Sequence, residues 1–235
     1  DKKTREKLKH LKSLGMKGIM ISVYPFYLEY VPFERTKTCV EISSKVFGNN
    51  AIVYQLEYFR RFQMLGIKGK VSIDDYIEME RGVNFLSFTE FFMMRRATYE
   101  LGESLLKYFP RYQASHILNQ PCITPILREW HNHFDNYGNY MPGFCGGITL
   151  GNCRSLVNLL QTGIELKDVP VLGFLLTNNF SGLMRFAEEF GYEELKKGYY
   201  SKCQLCVDVR KFLVEKDDFK ELQPKEFYLH IDKTL

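Results

Sequence analysis

The sequence has no apolar run long enough to cross a bilayer, no low-complexity tract, no internal repeat and no large excess of charge of either sign. The longest apolar stretches, such as GIMISVY at 18–24, fall far short of the ~20 residues a spanning helix needs, so no membrane association is expected. A formal charge of +4 is too small to suggest a nucleic-acid surface. No secretory signal is visible at the start of the chain. The six cysteines are therefore expected as thiols in a reducing, cytoplasmic compartment. What is present is the composition of an ordinary globular protein, 45% apolar and 26% charged, with 235 residues to form one large domain or two smaller ones.

The first half alternates between two periodicities. A basic segment at 4–14 reads as an amphipathic helix burying Leu8, Leu11 and Leu14 and stopping at Gly15. KGIMISVYP reads as a buried strand closed by Pro25, and Pro32 opens a helix that ends at Gly48. AIVYQLEYF is a second strand, and SIDDYIEME a helix with Ser72 as N-cap and Asp75 three residues on. VNFLSF, at 83–88, is a third strand, and 89–109 a long helix. This order predicts an α/β fold with a parallel sheet, whose ligands sit at the C-terminal ends of the strands, near Ser22–Tyr24 and Gln55–Tyr58.

From about residue 111 the character changes. ILREWHNHF alternates as a strand does, DNYGN is a turn, and YMPGF returns as the other arm of a hairpin. Short helices are expected from Ser155, Val169 and Ser181, and the last residues as a tail laid on the body. His131 and His133 share a strand face, which simple alternation explains without a metal.

The cysteines carry the chemistry. Cys203 and Cys206 are separated by two residues, so both thiolates can point at one ion or one cluster edge. Cys145 stands among Gly143, Gly146 and Gly147, which let the backbone approach a ligand closely. With Cys122 these make a four-thiolate set, and spacing alone slightly favours structural zinc over iron–sulfur. Cys39 and Cys153 read as packing residues. Thiol redox chemistry fits least, since no strand precedes Cys203.

Three stretches carry a resemblance. One is His133-Phe134-Asp135-Asn136-Tyr137-Gly138-Asn139, with Pro142, Cys145 and Gly147-Ile148-Thr149-Leu150-Gly151-Asn152. The second is Cys203-Gln204-Leu205-Cys206 with Arg210 and Leu213. The third is GIMISVYPFYLEYVPFER, through Ser22, Val23, Phe26, Glu29, Val31 and Pro32. Together they resemble the C-terminal part of a group of radical SAM proteins, with H-x-D-P-Y-G-N-x-x-P-C-x-G-I-S-x-G-N, then C-x-L-C-x-x-x-R-x-x-L, and S-V-D-x-F-H-x-E-x-V-P earlier. The chain departs from that pattern in lacking the C-x-x-x-C-x-x-C that holds the SAM-cleaving cluster. It also has Tyr24 and Tyr27 at the acidic and histidine positions, and Gly143-Phe144 inserted before Cys145.

The resemblance implies a partial (β/α) radical-SAM-type barrel over 1–110 and a small α+β cysteine-rich extension with a hairpin over 111–235. It shifts the expected occupant of Cys122, Cys145, Cys203 and Cys206 from zinc to an auxiliary [4Fe–4S] cluster. It places Ser22 and Glu29 at a pocket for S-adenosylmethionine or substrate. In the intact parent it implies a flavodoxin or ferredoxin as electron donor. The chain starts at Asp1, and an excerpt of a longer protein is expected. Alone it is not expected to cleave SAM. The competing expectation is a non-enzymatic zinc-binding structural or interaction module.

Overall fold

The computed structural model describes residues 2–80, 99, 107, 109–122, 126, 133–141, 143 and 145–231. The chain divides into two compact units, Asp1–Phe91 and Phe92–Leu235, a division that falls before the change of character at 110/111. The protein is of mixed α and β type with helix predominating. The expected strand at 83–88, most of the expected helix over 89–109, His131, Pro142 and Phe144 lie outside the described residues. Among the described residues no helix is long and apolar enough to cross a membrane.

The first unit is built on one βαβ crossover. Strand β1 (Ile19–Ser22) pairs in parallel with β2 (Ala51–Tyr54), Ile19 opposite Ala51 and Ser22 opposite Tyr54. Helix α1 (Lys2–Ser13) packs on α3 (Phe33–Phe47), the crossover, after a single turn α2 (Pro25–Leu28). Leu8, Ile42, Val46 and Phe47 form the small core between them, with Ile19 and Ala51 packed against it.

Two expectations need correction here. Only Leu8 of the α1 stripe is buried, and Leu14 is 71% exposed because the helix ends at Ser13, before it. The strands are half-buried rather than buried. Met20 and Ile52, opposite each other in register, are 62% and 56% exposed, because these helices cover only the face carrying Ile19 and Ala51.

The run AIVYQLEYF is also two elements, not one strand. Gln55 takes φ +64°, and α4 (Leu56–Met64) follows at once, burying Tyr58 and Phe62 one turn apart. Helix α5 (Ile73–Met79) starts as its sequence indicates, the Ser72 hydroxyl accepting from the Asp75 N–H at 3.1 Å.

The second unit holds the larger core. It is made by α8 (Pro170–Leu176), α9 (Phe180–Glu189) and α10 (Lys202–Val214), with Leu172, Leu183, Ala187, Leu205, Val209 and Leu213 fully buried. Helix α10 is buried on nearly every side, as a helix crossing a core must be. The chain end is more than a surface tail. Glu221, Leu222, Tyr228 and Ile231 are buried, Tyr228 within α11 (Lys225–Leu229).

The hairpin forms as expected. Strands β3 (His133–Phe134), β4 (Asn139–Met141) and β5 (Gly151–Asn152) make an antiparallel sheet, with His133 opposite Met141. Ile126, expected in the first arm, is helical instead, its N–H reaching back to Cys122 O at 3.3 Å. Helix α6 (Ala114–Ile117) precedes this region and α7 (Leu156–Thr162) follows β5.

Candidate functional site

The CxxC pair sits at the start of α10. Ser201 is the N-cap, accepting from Gln204 N–H at 3.1 Å, while Gln204 Oε1 accepts from Tyr200 N–H at 2.7 Å. This is the reciprocal logic of a capping box, displaced by one residue. The S-x-x-Q spacing signals it in the sequence, and it locates the helix start at Lys202. Cys203 and Cys206, three apart on a helix, share one face.

Cys145 arrives from the hairpin loop. The motif residues ahead of it are scaffold. Asp135 Oδ1 accepts from the N–H groups of Tyr137 (2.9 Å) and Asn139 (2.8 Å), and Oδ2 accepts from the Asn139 amide (2.9 Å), which closes the turn. Gly138, at φ +83°, completes it. After Cys145, Gly147 has φ +74°, and a Cβ there would lie 2.7 Å from Tyr228 Oη. Thr149 ties the loop down, donating its N–H to Glu221 O at 2.8 Å and its hydroxyl to Gly151 O at 2.7 Å. Cys122 arrives from the loop after α6, its N–H donating to Asn178 Oδ1 at 3.1 Å.

The fold thus brings Cys122, Cys145, Cys203 and Cys206 into one neighbourhood. Burial pushes the Cys203 thiol up to about 12, and the charges of Cys206, Cys145 and Cys122 push it the same way. Burial also raises Cys122, with Cys206 adding to it and Lys202 opposing by charge and hydrogen bond. All six cysteines are outside any disulfide. The four side chains as placed do not close on a common point: among the described residues no three His, Cys, Asp or Glu side chains stand at metal-holding spacing. The donor set itself is four soft thiols in mutual electrostatic contact. Cys39 lies in α3, in the other unit, with its sulfur 4.0 Å from Ser43 Oγ. Cys153 is exposed beside the hairpin turn.

Two residues that sequence reading did not place in the site stand at it. Arg210, 3% exposed, donates from Nη1 to Gly146 O and Tyr228 Oη, both at 2.8 Å, and from Nε to Cys206 O at 3.1 Å. It therefore straps α10 to the Cys145 loop. Burial opposes its charge, and Tyr228, Cys206 and Cys145 more than offset that, so the guanidinium remains firmly protonated. Lys202, 4% exposed, donates to Gln120 O, with Nζ 4.8 Å from the centre of the Phe180 ring.

Elsewhere on α10, Asp208 accepts from the Tyr192 hydroxyl at 2.7 Å, and the Tyr192 and Tyr199 hydroxyls are hydrogen-bonded at 2.8 Å. Burial raises the Asp208 carboxyl. This cluster anchors α10 to the segment before it.

In the first unit, Ser22 ends β1 opposite Tyr54, in a tyrosine group where Tyr24 is 5.6 Å from Tyr27 and 6.0 Å from Tyr54 between ring centres. The Glu29 carboxylate accepts from Ile73 N–H at 3.0 Å and so holds the start of α5.

Compared with known proteins, the chain matches no family model, no curated protein and no solved structure.

Proposed function

We propose that Cys122, Cys145, Cys203 and Cys206 hold a [4Fe–4S] cluster, the auxiliary centre of a radical SAM enzyme whose later barrel strands and extension this chain supplies. The observation that carries this reading is the meeting of four thiols, from three separated segments, at the first turn of one buried helix. The parallel β1–α3–β2 crossover supports the partial barrel, and the exposed face carrying Met20 and Ile52 accords with it. When bound, the cluster supplies one-electron transfer.

The chain's own residues do the rest. Helix α10 presents two thiols near its N-terminal end. The Asp135 turn and Arg210 position Cys145, and the core around Leu205 and Val209 keeps water away. Ser22 and Glu29 belong to the proposed pocket of the barrel part for S-adenosylmethionine or substrate, Glu29 through its hold on Ile73. An electron donor of flavodoxin or ferredoxin type would serve the parent.

The test is reconstitution with iron and sulfide without oxygen, followed by counting both. The wild type is expected to hold ~4 of each per chain. Cys145→Ser, Cys203→Ser and Cys206→Ser are expected to lose most of it, and Cys122→Ser a large part, because serine replaces a soft ligand poorly. Cys39→Ser and Cys153→Ser should keep it. Zinc in the chain as purified, with no uptake of iron, would establish the structural-zinc alternative instead.

A further inference from the structure

We propose that helix α1 is a peripheral membrane-docking surface, which lays its exposed lysines and the two leucines behind them on a layer of anionic phospholipid headgroups. The surface belongs to the first unit and does not depend on what the thiols of the second unit hold.

The positive charge of the chain is concentrated there. Residues 1–17 hold seven lysines and arginines against two acidic residues, and the other 218 residues hold 25 against 26. Lys2, Lys3, Arg5, Lys7, Lys9 and Lys17 are exposed. Among the described residues none of these six forms an ion pair. Lys12, by contrast, turns to the protein, donating to Val46 O at 2.6 Å with Nζ 5.8 Å from the centre of the Phe47 ring.

This arrangement works against the helix itself. The first turn has no acidic residue, and Lys2, Lys3 and Arg5 stand at the positive end of the dipole. Lys3 and Lys7, and likewise Arg5 and Lys9, are like charges four apart, which repel. A face that only meets water gains nothing from such placement. A negatively charged surface relieves both costs.

Two leucines select the kind of surface. Lys3, Lys7, Leu11 and Leu14 follow at spacings of four, four and three and so lie in one row. The Leu14 N–H prolongs the turn by donating to His10 O at 3.1 Å. Leu11 is 41% and Leu14 71% exposed. Helix α1 has no aromatic side chain on which a base could stack. Nucleic acid would therefore meet the lysines and leave the leucines in water. A bilayer takes the ammonium groups at the phosphate level and the leucines just beneath. Leu8, on the other side, stays packed with α3, so the contact uses one face and needs no spanning segment.

The experiment is co-sedimentation of the full chain with vesicles. Binding is expected to phosphatidylcholine vesicles containing phosphatidylserine at about 0.05 M salt, and its loss at about 0.5 M. Pure phosphatidylcholine vesicles should not bind the chain. Lys3→Gln with Lys7→Gln keeps good helix formers and should weaken binding roughly thirtyfold. Lys196→Gln with Lys197→Gln removes the same charge from exposed positions of the second unit and should leave binding unchanged. Leu14→Gln should weaken it several-fold. No binding to the anionic vesicles, equal binding to neutral ones, or equal loss from the two lysine pairs overturns the proposal. Tighter binding to duplex DNA than to vesicles at equal phosphate concentration, or wild-type vesicle binding by Leu14→Gln, overturns it in favour of a nucleic-acid surface. The vesicle and duplex comparisons use the wild type and need no variant to fold.

Discussion

Glu80→Gln in the first unit offers a direct test of the energetics. The Glu80 side chain is 2% exposed and Arg61 28%. Arg61 Nε donates to Glu80 Oε1 at 2.9 Å, Nη2 donates to Oε2, and the Tyr76 hydroxyl donates to Oε1 at 3.0 Å. Glutamine keeps only one acceptor oxygen, and its NH₂ group faces Arg61 donor to donor. Removing one partner from a fully buried pair costs ~3–5 kcal/mol. Water can replace some bonds of the partly exposed Arg61, so about 2–3 kcal/mol is expected here. The assay is amide hydrogen exchange in α4 and α5, corrected for intrinsic rates, which should quicken roughly 30- to 140-fold. Acid supplies an internal control. The Arg61 hydrogen bonds hold the Glu80 carboxyl below its ordinary range. Its contribution is complete above the unfolded value of ~4.3 and disappears as pH falls through the lowered folded value. The wild type should lose this protection in strong acid, and Glu80→Gln should lack that step. Equal protection in both proteins, or the same acid step in the variant, would refute the reasoning.

Two further outcomes are expected. Gly147→Ala should destabilise the second unit by about 3 kcal/mol, since it combines a positive φ of +74° with a Cβ placed against Phe227 and Tyr228; a melting temperature equal to wild type would contradict it. Tyr24 is pushed up to about 12 by burial and by its hydrogen bond with Tyr54, so its ionisation opposes folding from about pH 10 upward. The difference in ultraviolet alkaline titration between wild type and Tyr24→Phe should have its midpoint near 12, and a midpoint at an ordinary tyrosine value would disprove the packing described.

Much of the secondary structure was legible in the sequence because it is written in short-range chemistry. Ser72 and Asp75 mark the start of α5, Gly138 and Asp135 the hairpin turn, and apolar spacing α3 and α9. The misreadings came where local pattern was overruled. AIVYQLEYF looks like one strand by composition, but Gln55 turns left-handed so that Tyr58 and Phe62 can reach their core. Leu14 continues the apolar stripe of α1 and stays in water because the helix stops before it. The four cysteines could be grouped from their residue type and glycine context. That Cys203 and Cys206 stand in a buried helix strapped by Arg210 to the loop carrying Cys145 was decided by the tertiary structure, since segments far apart in sequence have to pack there. Arg210 stood out in the sequence only as a residue of the CxxC stretch and Lys202 not at all, because in a sequence a lysine or an arginine is by default a solvated charge. Only the tertiary structure buries both side chains, with neutral oxygens as their hydrogen-bond acceptors.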